Sequence, residues 1–271
     1  MSYCIISGAG EIPFEIGNSI INELQERVFF IIIEGVNYDK KLEKFDHIIL
    51  PIGKISKAMQ EMRKRNVKKI IFVGGIKMPN LSNVKPDLQG SILLTKILLK
   101  KQKGDNAILS EVGNFFESNG FEIIGADEIL KQKNQNEDIL YTQNLDQSIF
   151  EDIKLGINIL NIISEFDIGQ AIVVANSRII GIEGIEGTDE LIKRCGKYYK
   201  TGDAKMILIK MPKILQNLKF DMPTIGANTI SLMHEKNFQC LAISNEKTLF
   251  TNKNSINNAI KKTKLSVFNI D

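Results

Sequence analysis

Two glycine turns and two acidic segments hold the residues whose types and spacing suit chemistry on phosphate. Ser7-Gly8-Ala9-Gly10 and Gly74-Gly75 each follow a short apolar run. Where such a turn leads from a strand into a helix, glycine lets the backbone approach an anion, and the helix N-terminus offers it N–H groups. Gly8, Ala9, Gly10, Gly74 and Gly75 are therefore candidate phosphate contacts, although a tight turn needing glycine for steric reasons reads the same way. The first turn is part of a dinucleotide fingerprint only. Pro13 stands where a third glycine belongs, while Glu34, after the second apolar run, suits a ribose hydroxyl.

The stretch from Gly181 to Asp189 puts three carboxylates, Glu183, Glu186 and Asp189, within seven positions and among three glycines. Clustered carboxylates suit a hard divalent cation such as Mg²⁺. The alternative is that Thr188 or Asp189 caps the next helix, whose dipole favours acids there. Asp221-Met222-Pro223-Thr224-Ile225-Gly226 adds a further carboxylate. By spacing alone it reads as a helix start, with Asp221 or Thr224 as the cap and Pro223 in the first turn. Lys210, Lys213 and Lys219 suit phosphate charge or plain solvation. Asp167, Gln170 and Asn176 carry no signal in isolation. His47 and His234, the two histidines, lie before an apolar strand and on a helix, where structural roles are expected. Neither a nucleophile elbow nor a P-loop is present.

With 271 residues, 43% of them hydrophobic, the chain suits two domains. The 35 Lys and Arg against 32 Asp and Glu are scattered, which argues against a nucleic-acid partner. Three unpaired cysteines, Cys4, Cys195 and Cys240, fit a reducing compartment better than a disulfide framework. The absence of a secretory signal fits a cytoplasmic protein. No stretch reaches the roughly 18 apolar residues of a membrane span.

The elements that position these residues alternate. Short β-branched runs at Tyr3–Ser7, Val28–Glu34, His47–Leu50, Lys69–Val73 and Phe121–Ile124 read as buried strands. Helices are expected from Pro13 to Arg27, Ile55 to Arg65, Ser91 to Gln102 and Asp105 to Ser118. This pattern predicts an N-terminal Rossmann-like parallel sheet covered on both faces. The long loop Ile76–Asp87, with two prolines, is of a kind that often carries function. The polar run Lys131–Asp138 places a boundary between domains at 1–132 and 138–271. The second is mixed α/β: a helix Gln147–Ser164, a hairpin Gln170–Glu183 turning at Asn176-Ser177, and helices near Asp189–Lys200, Pro223–Asn237 and Ser255–Lys264. These alternate with strands near Lys205–Ile209, Cys240–Ser244 and Ser266–Asn269.

Several short pieces occur in a specific order: Ser7 to Pro13, Gly74-Gly75 with Pro79, Lys103-Gly104-Asp105, Gly120 to Leu130, Asp167-Ile168-Gly169-Gln170, Glu186 to Asp189 and Asp221 to Gly226. Over nearly the whole chain this resembles the metal-dependent UDP-2,3-diacylglucosamine pyrophosphatases of Gram-negative lipid A biosynthesis, a former family of unknown function. The resemblance implies hydrolysis to UMP and 2,3-diacylglucosamine 1-phosphate, a nucleotide-binding N-terminal domain and a family-specific second one. By the same resemblance Asp221 is needed for activity. Mg²⁺ or another divalent cation is expected on Asp221, Asp189 and Glu186, and Gln170, Thr188, Asp189 and Thr224 join the glycines as substrate contacts. The implied partner is a lipid-linked UDP-sugar, met with at most peripheral contact at the inner membrane surface, and its acyl chains are expected along apolar surface of the second half. A homodimer is expected. The chain departs from the family pattern at Gln216-Asn217 and Lys219, where a Gln-Asp pair and an arginine are usual; Asn217 could still coordinate through its carbonyl. The rival readings are an NAD-dependent oxidoreductase and a noncatalytic nucleotide-sugar-binding regulator.

Overall fold

A computed structural model describes residues 2–76, 80–100, 105–133, 139–198, 206–214 and 216–271. Parts of several expected features lie outside them: Lys77–Pro79 of the long loop, Lys101 and Gln102 at the end of the third helix, Lys103-Gly104, positions 134–138 of the polar run, Tyr199 and Lys200 at the end of the helix from Asp189, and Lys205 at the start of the next strand. The chain forms two compact units, Met1–Gln135 with Asn217–Asp221, and Asn136–Gln216 with Met222–Asp271.

In the first unit the strands are β1 (Ser2–Ser7), β2 (Arg27–Ile33), β3 (Asp46–Leu50), β4 (Lys69–Val73) and β5 (Glu122–Ile123). They pair all-parallel in the order β3-β2-β1-β4-β5. The central strands are buried on both faces, so they appear in sequence as continuous apolar runs rather than alternating ones. The helices are α1 (Ile12–Asn22), α2 (Ile55–Lys64), α3 (Leu88–Lys100), α4 (Asp105–Ser118) and α5 (Ala126–Lys133). Pro13 sits in the first turn of α1, where its missing N–H costs nothing. Cys4, Ile6, Phe29 and Ile31 pack under α2, α3 and α4, while Ile5, Phe30 and Ile32 alternate to the face that α1 covers. The helix α5 reaches Lys133, into the polar run that marks the boundary between the domains.

The second unit opens with α6 (Gln147–Ser164), with the bounds that the sequence pattern predicts. The hairpin β6 (Ala171–Ala175) and β7 (Arg178–Ile182) turns through Asn176 and Ser177 at φ 50° and 59°, the paired left-handed geometry that suits a two-residue hairpin. After α7 (Thr188–Tyr198) come β8 (Met206–Lys210), β9 (Thr224–Ile225), α8 (Ala227–Glu235), β10 (Phe238–Ile243), β11 (Leu249–Phe250), α9 (Lys253–Thr263) and β12 (Ser266–Asn269). The main sheet runs β12-β10-β8-β6-β7, parallel from β12 to β8 and antiparallel beyond. One face packs on α6, the other on α7, α8 and α9. The helix expected from Pro223 instead begins at Ala227. Thr224 and Ile225 are drawn into a small parallel pair with Leu249 and Phe250, and Gly226 takes the N-cap position.

Candidate functional site

In the first unit strand order reverses at β1 and β4, and both glycine turns lie at the carboxyl ends of those strands. Gly8 N donates to Val73 O at 2.9 Å; Ala9 N and Gly75 O, and Gly75 N and Ala9 O, also bond at 2.9 Å. The turns are thus tied to each other. A Cβ on Gly8 would lie 2.6 Å from the carbonyl oxygens of both Gly74 and Gly75, and Gly74 has φ +94°. Glycine is required here for close approach and handedness. The amides of Gly8, Ala9 and Gly75 donate to the protein's own carbonyls, so they are not the phosphate donors that their position in the sequence suggests.

Beside this lock opens a cleft of about 1040 Å³ at the carboxyl ends of β1 to β4, the crevice where open α/β sheets bind ligands. Of the residues that the sequence singles out, Ala9, Glu34 and Gly75 line it, and Gly8, Gly10 and Gly74 do not. Lys54, Asn80, Asn83 and Lys85 also line it, from loops whose polar residues show no periodicity that could have singled them out. Two ammonium groups among amides suit an anionic, hydroxyl-rich ligand.

Asp221 groups with the first unit through a short returning turn. Asn217 O accepts from Phe220 N at 3.0 Å and from Asp221 N at 3.2 Å, and Asn217 Oδ1 accepts from Lys219 N at 3.1 Å. Asparagine at 217 therefore shapes the turn itself, an Asx-type role. Lys219 Nζ donates to Ile123 O at 3.1 Å. Phe220 lies 5.5 Å from Phe72, centroid to centroid, and its ring fills the notch that α4 leaves at Gly113. Asp221 is half-buried and follows directly. The helix that follows starts at Ala227, with Gly226 as its N-cap.

The acidic turn belongs to the second unit, and the structure gives each carboxylate a different job. Glu183 is buried: Oε1 accepts from Thr188 Oγ1 at 2.6 Å and Oε2 from Gln170 N at 2.8 Å. Glu186 pairs with Arg194 at 2.8 Å and accepts from Gly184 N at 3.1 Å; the Arg194 guanidinium holds its carboxyl below the usual range. Asp189 is exposed in the first turn of α7. Among the described residues no group of three or more His, Cys, Asp or Glu is placed to hold a metal ion.

Lys210, at the end of β8, is buried rather than solvated. Its Nζ donates to Thr188 Oγ1 at 2.9 Å and Thr224 O at 3.3 Å. Thr188 thus accepts from an ammonium and donates to a carboxylate, and in the sequence Lys210 showed only as a charge after an apolar run. The motif around Gln170 also becomes legible. Gly169, at φ +30°, lets the chain pass so near Glu183 that a Cβ would be 2.1 Å from its carbonyl oxygen. Asp167 forms an ion pair with Lys213, Gln216 Oε1 accepts from Lys213 N at 2.9 Å, and Gln216 Nε2 reaches Gln170 Oε1 at 3.4 Å.

Fold and cleft together define a doubly wound α/β protein with a ligand crevice at its switch point, joined to a second mixed α/β unit. Residues 2–133 match the LpxI N-terminal domain and residues 136–268 the LpxI C-terminal domain. The chain belongs to the LpxI family. A relative from Caulobacter vibrioides, the UDP-2,3-diacylglucosamine pyrophosphatase LpxI, is 29% identical over 231 residues, 83% of this chain and 82% of the relative. No helix among the described residues is long and apolar enough to cross a membrane.

Proposed function

We propose that this chain hydrolyses the pyrophosphate of UDP-2,3-diacylglucosamine to UMP and 2,3-diacylglucosamine 1-phosphate, with Asp221 as the essential acid. The observation that carries the reading is that both LpxI domains match in order and nearly end to end. The cleft of the first unit supports it, because Lys54 and Lys85 suit phosphates and Glu34 suits a ribose hydroxyl. The nicotinamide reading is weaker, because Pro13 stands where the dinucleotide fingerprint has its third glycine. A noncatalytic regulator would bind the same substrate without consuming it.

Attack of water on a pyrophosphate is slow because anionic oxygens surround the phosphorus, so the reaction needs positive charge on those oxygens and a group that orients the nucleophile. Mg²⁺ would supply that charge, and it is commonly held by one or two carboxylates plus substrate phosphates, not by an all-protein cage. In this reading Asp221 is the carboxylate that faces the cation or takes the proton of the attacking water. Glu186, paired with Arg194, would have to exchange that partner to ligate a cation, whereas Asp189 is exposed. The tie from Thr188 through Glu183 to Gln170 N holds the start of α7 against the start of β6, and so positions Thr188, Asp189 and Gln170 for the contacts proposed for them.

Incubation of the protein with UDP-2,3-diacylglucosamine and Mg²⁺ should release UMP; EDTA should stop the release and added Mg²⁺ restore it. Asp221→Ala should bind substrate and lose nearly all turnover. Full activity in that variant removes Asp221 from the mechanism, and turnover unaffected by EDTA removes the cation. Binding without any UMP release would establish the regulator reading.

A further inference from the structure

Under α3 the first unit holds a second cavity, about 250 Å³, that the glycine turns and the carboxylates do not use. Its floor is the sheet face of Ile6, Ile31 and Phe72, and its walls come from α2, α3 and α4. Among the described residues lining it, Lys54 is the only one that carries charge or a polar side-chain group. Protein interiors are packed like organic crystals, and a void of this size with apolar walls has no polar partners to hold water. Its rim is shared with the polar cleft: Ile33, Ile52, Lys54, Ile76 and Val84 line both.

Two of these walls are tied to each other at one end. Asp87 Oδ1 accepts from Ser56 N at 3.0 Å and Gly90 N at 2.9 Å, and Oδ2 accepts from Lys57 N at 3.2 Å, so one carboxylate caps both α2 and α3. At the same point Gly90 packs on the carbonyl of Gly53, where a Cβ would come within 2.2 Å. The N-terminal ends of the two helices are pinned together while their apolar faces line the cavity behind them. Preformed apolar pockets with a polar mouth are the usual form of a site for an amphiphilic small molecule.

We infer that this cavity takes an acyl chain, and that the first unit, not the second, holds at least one hydrocarbon tail of the substrate. The inference rests on the reading of that substrate as a diacylated UDP-sugar. Lys54 stands on the boundary between the two spaces, where an amphiphile passes from tail to phosphate. Phe72, part of the floor, also packs against Phe220, the residue before Asp221, with the two rings tilted, so a chain in the cavity lies against one ring of the pair that seats the essential acid.

The test is calorimetric binding of n-alkyl phosphates from hexyl to tetradecyl, each below its micelle concentration, to the full chain and to two variants that plug the cavity, Leu94→Trp and Leu109→Trp. In the wild type affinity should rise by about fourfold per added methylene until the cavity is full. In either folded variant that dependence should vanish while UDP binding is retained. A plugged, folded variant that keeps the wild-type dependence on chain length overturns the inference, as does a wild type that shows none. Failure of the proposed reaction is read separately: alkyl phosphates that bind with the expected dependence, with no UMP released from UDP-2,3-diacylglucosamine, leave the acyl site standing and remove the hydrolase.

Discussion

Gly113→Ala should nearly abolish turnover while leaving the protein folded. A Cβ on Gly113 would sit 2.0 Å from Phe220 Cζ and 2.8 Å from Cε1. Carbon atoms rest about 3.5 Å apart, so the ring must withdraw by about 1.5 Å. Overpacking of this kind costs about 1–3 kcal/mol. Alanine within a helix returns about 1 kcal/mol relative to glycine. The two nearly offset, which leaves a net loss of about 0–2 kcal/mol and a fall in Tm of a few degrees. Turnover responds differently, because one peptide bond joins the ring to Asp221. With Asp221 as the proposed essential acid, displacing its carboxylate by about 1 Å costs on the order of 100-fold in rate. The assay is UMP release with kcat and KM separated, alongside a thermal melt. The added specificity lies in the double variant: Phe220→Leu in the Gly113→Ala background relieves the clash and should recover part of kcat, a coupling that additive destabilisation does not produce. Unchanged kcat in Gly113→Ala, at any Tm, would show that the Phe220 seat does not position Asp221.

Asp87→Ala removes the cap shared by α2 and α3 and should cost about 2 kcal/mol, read as a lower Tm. Burial alone would raise the Asp87 pKa, but the N–H groups of Ser56, Gly90 and Lys57 and the Ser56 hydroxyl outweigh it and hold it below the ordinary 3.8. The cap's stabilisation is therefore fully present above that value and is lost as pH falls through the depressed one, so melts of wild type and Asp87→Asn should converge in acid. Thr188→Val leaves Lys210 and Glu183 without the hydroxyl that joins them, at a cost of about 1–3 kcal/mol; Thr188→Ser should restore the melting temperature. Cys4, Cys195 and Cys240 are buried, and burial pushes their thiols up, that of Cys240 to about 12. A thiol reagent should leave the native protein unlabelled and react with all three cysteines after unfolding; rapid native labelling would contradict the burial.

The strands and long helices were legible because burial on both faces writes itself as uninterrupted apolar runs, and the predicted bounds of α6 and α4 agree with the observed ones. The pair β9–β11 was not, since Thr224 meets Leu249 only through long-range pairing, with two residues on each strand. Without it, Asp221 to Gly226 looked like a helix start. The glycine turns were legible as a place but not as a mechanism: only the reciprocal bonds of Ala9 and Gly75 show that their amides serve each other. Spacing brought Glu183, Glu186 and Asp189 together but could not reveal that Arg194, Thr188 and the amide of Gln170 occupy two of the three. Lys210 was visible as a charge ending an apolar strand, and its burial was not.

The five residues Asn217–Asp221 are flanked on both sides by chain that folds with the second unit, yet they pack as part of the first. A fragment ending near residue 135 would therefore fold around a hole at Gly113, lacking the ring that fills it and the acid that follows. The division of the chain into two family domains is a division of sequence, and it does not mark a line along which the enzyme could be cut, swapped or shuffled. Any recombination of halves from two relatives would have to match the notch on α4 from one parent with the ring at position 220 from the other.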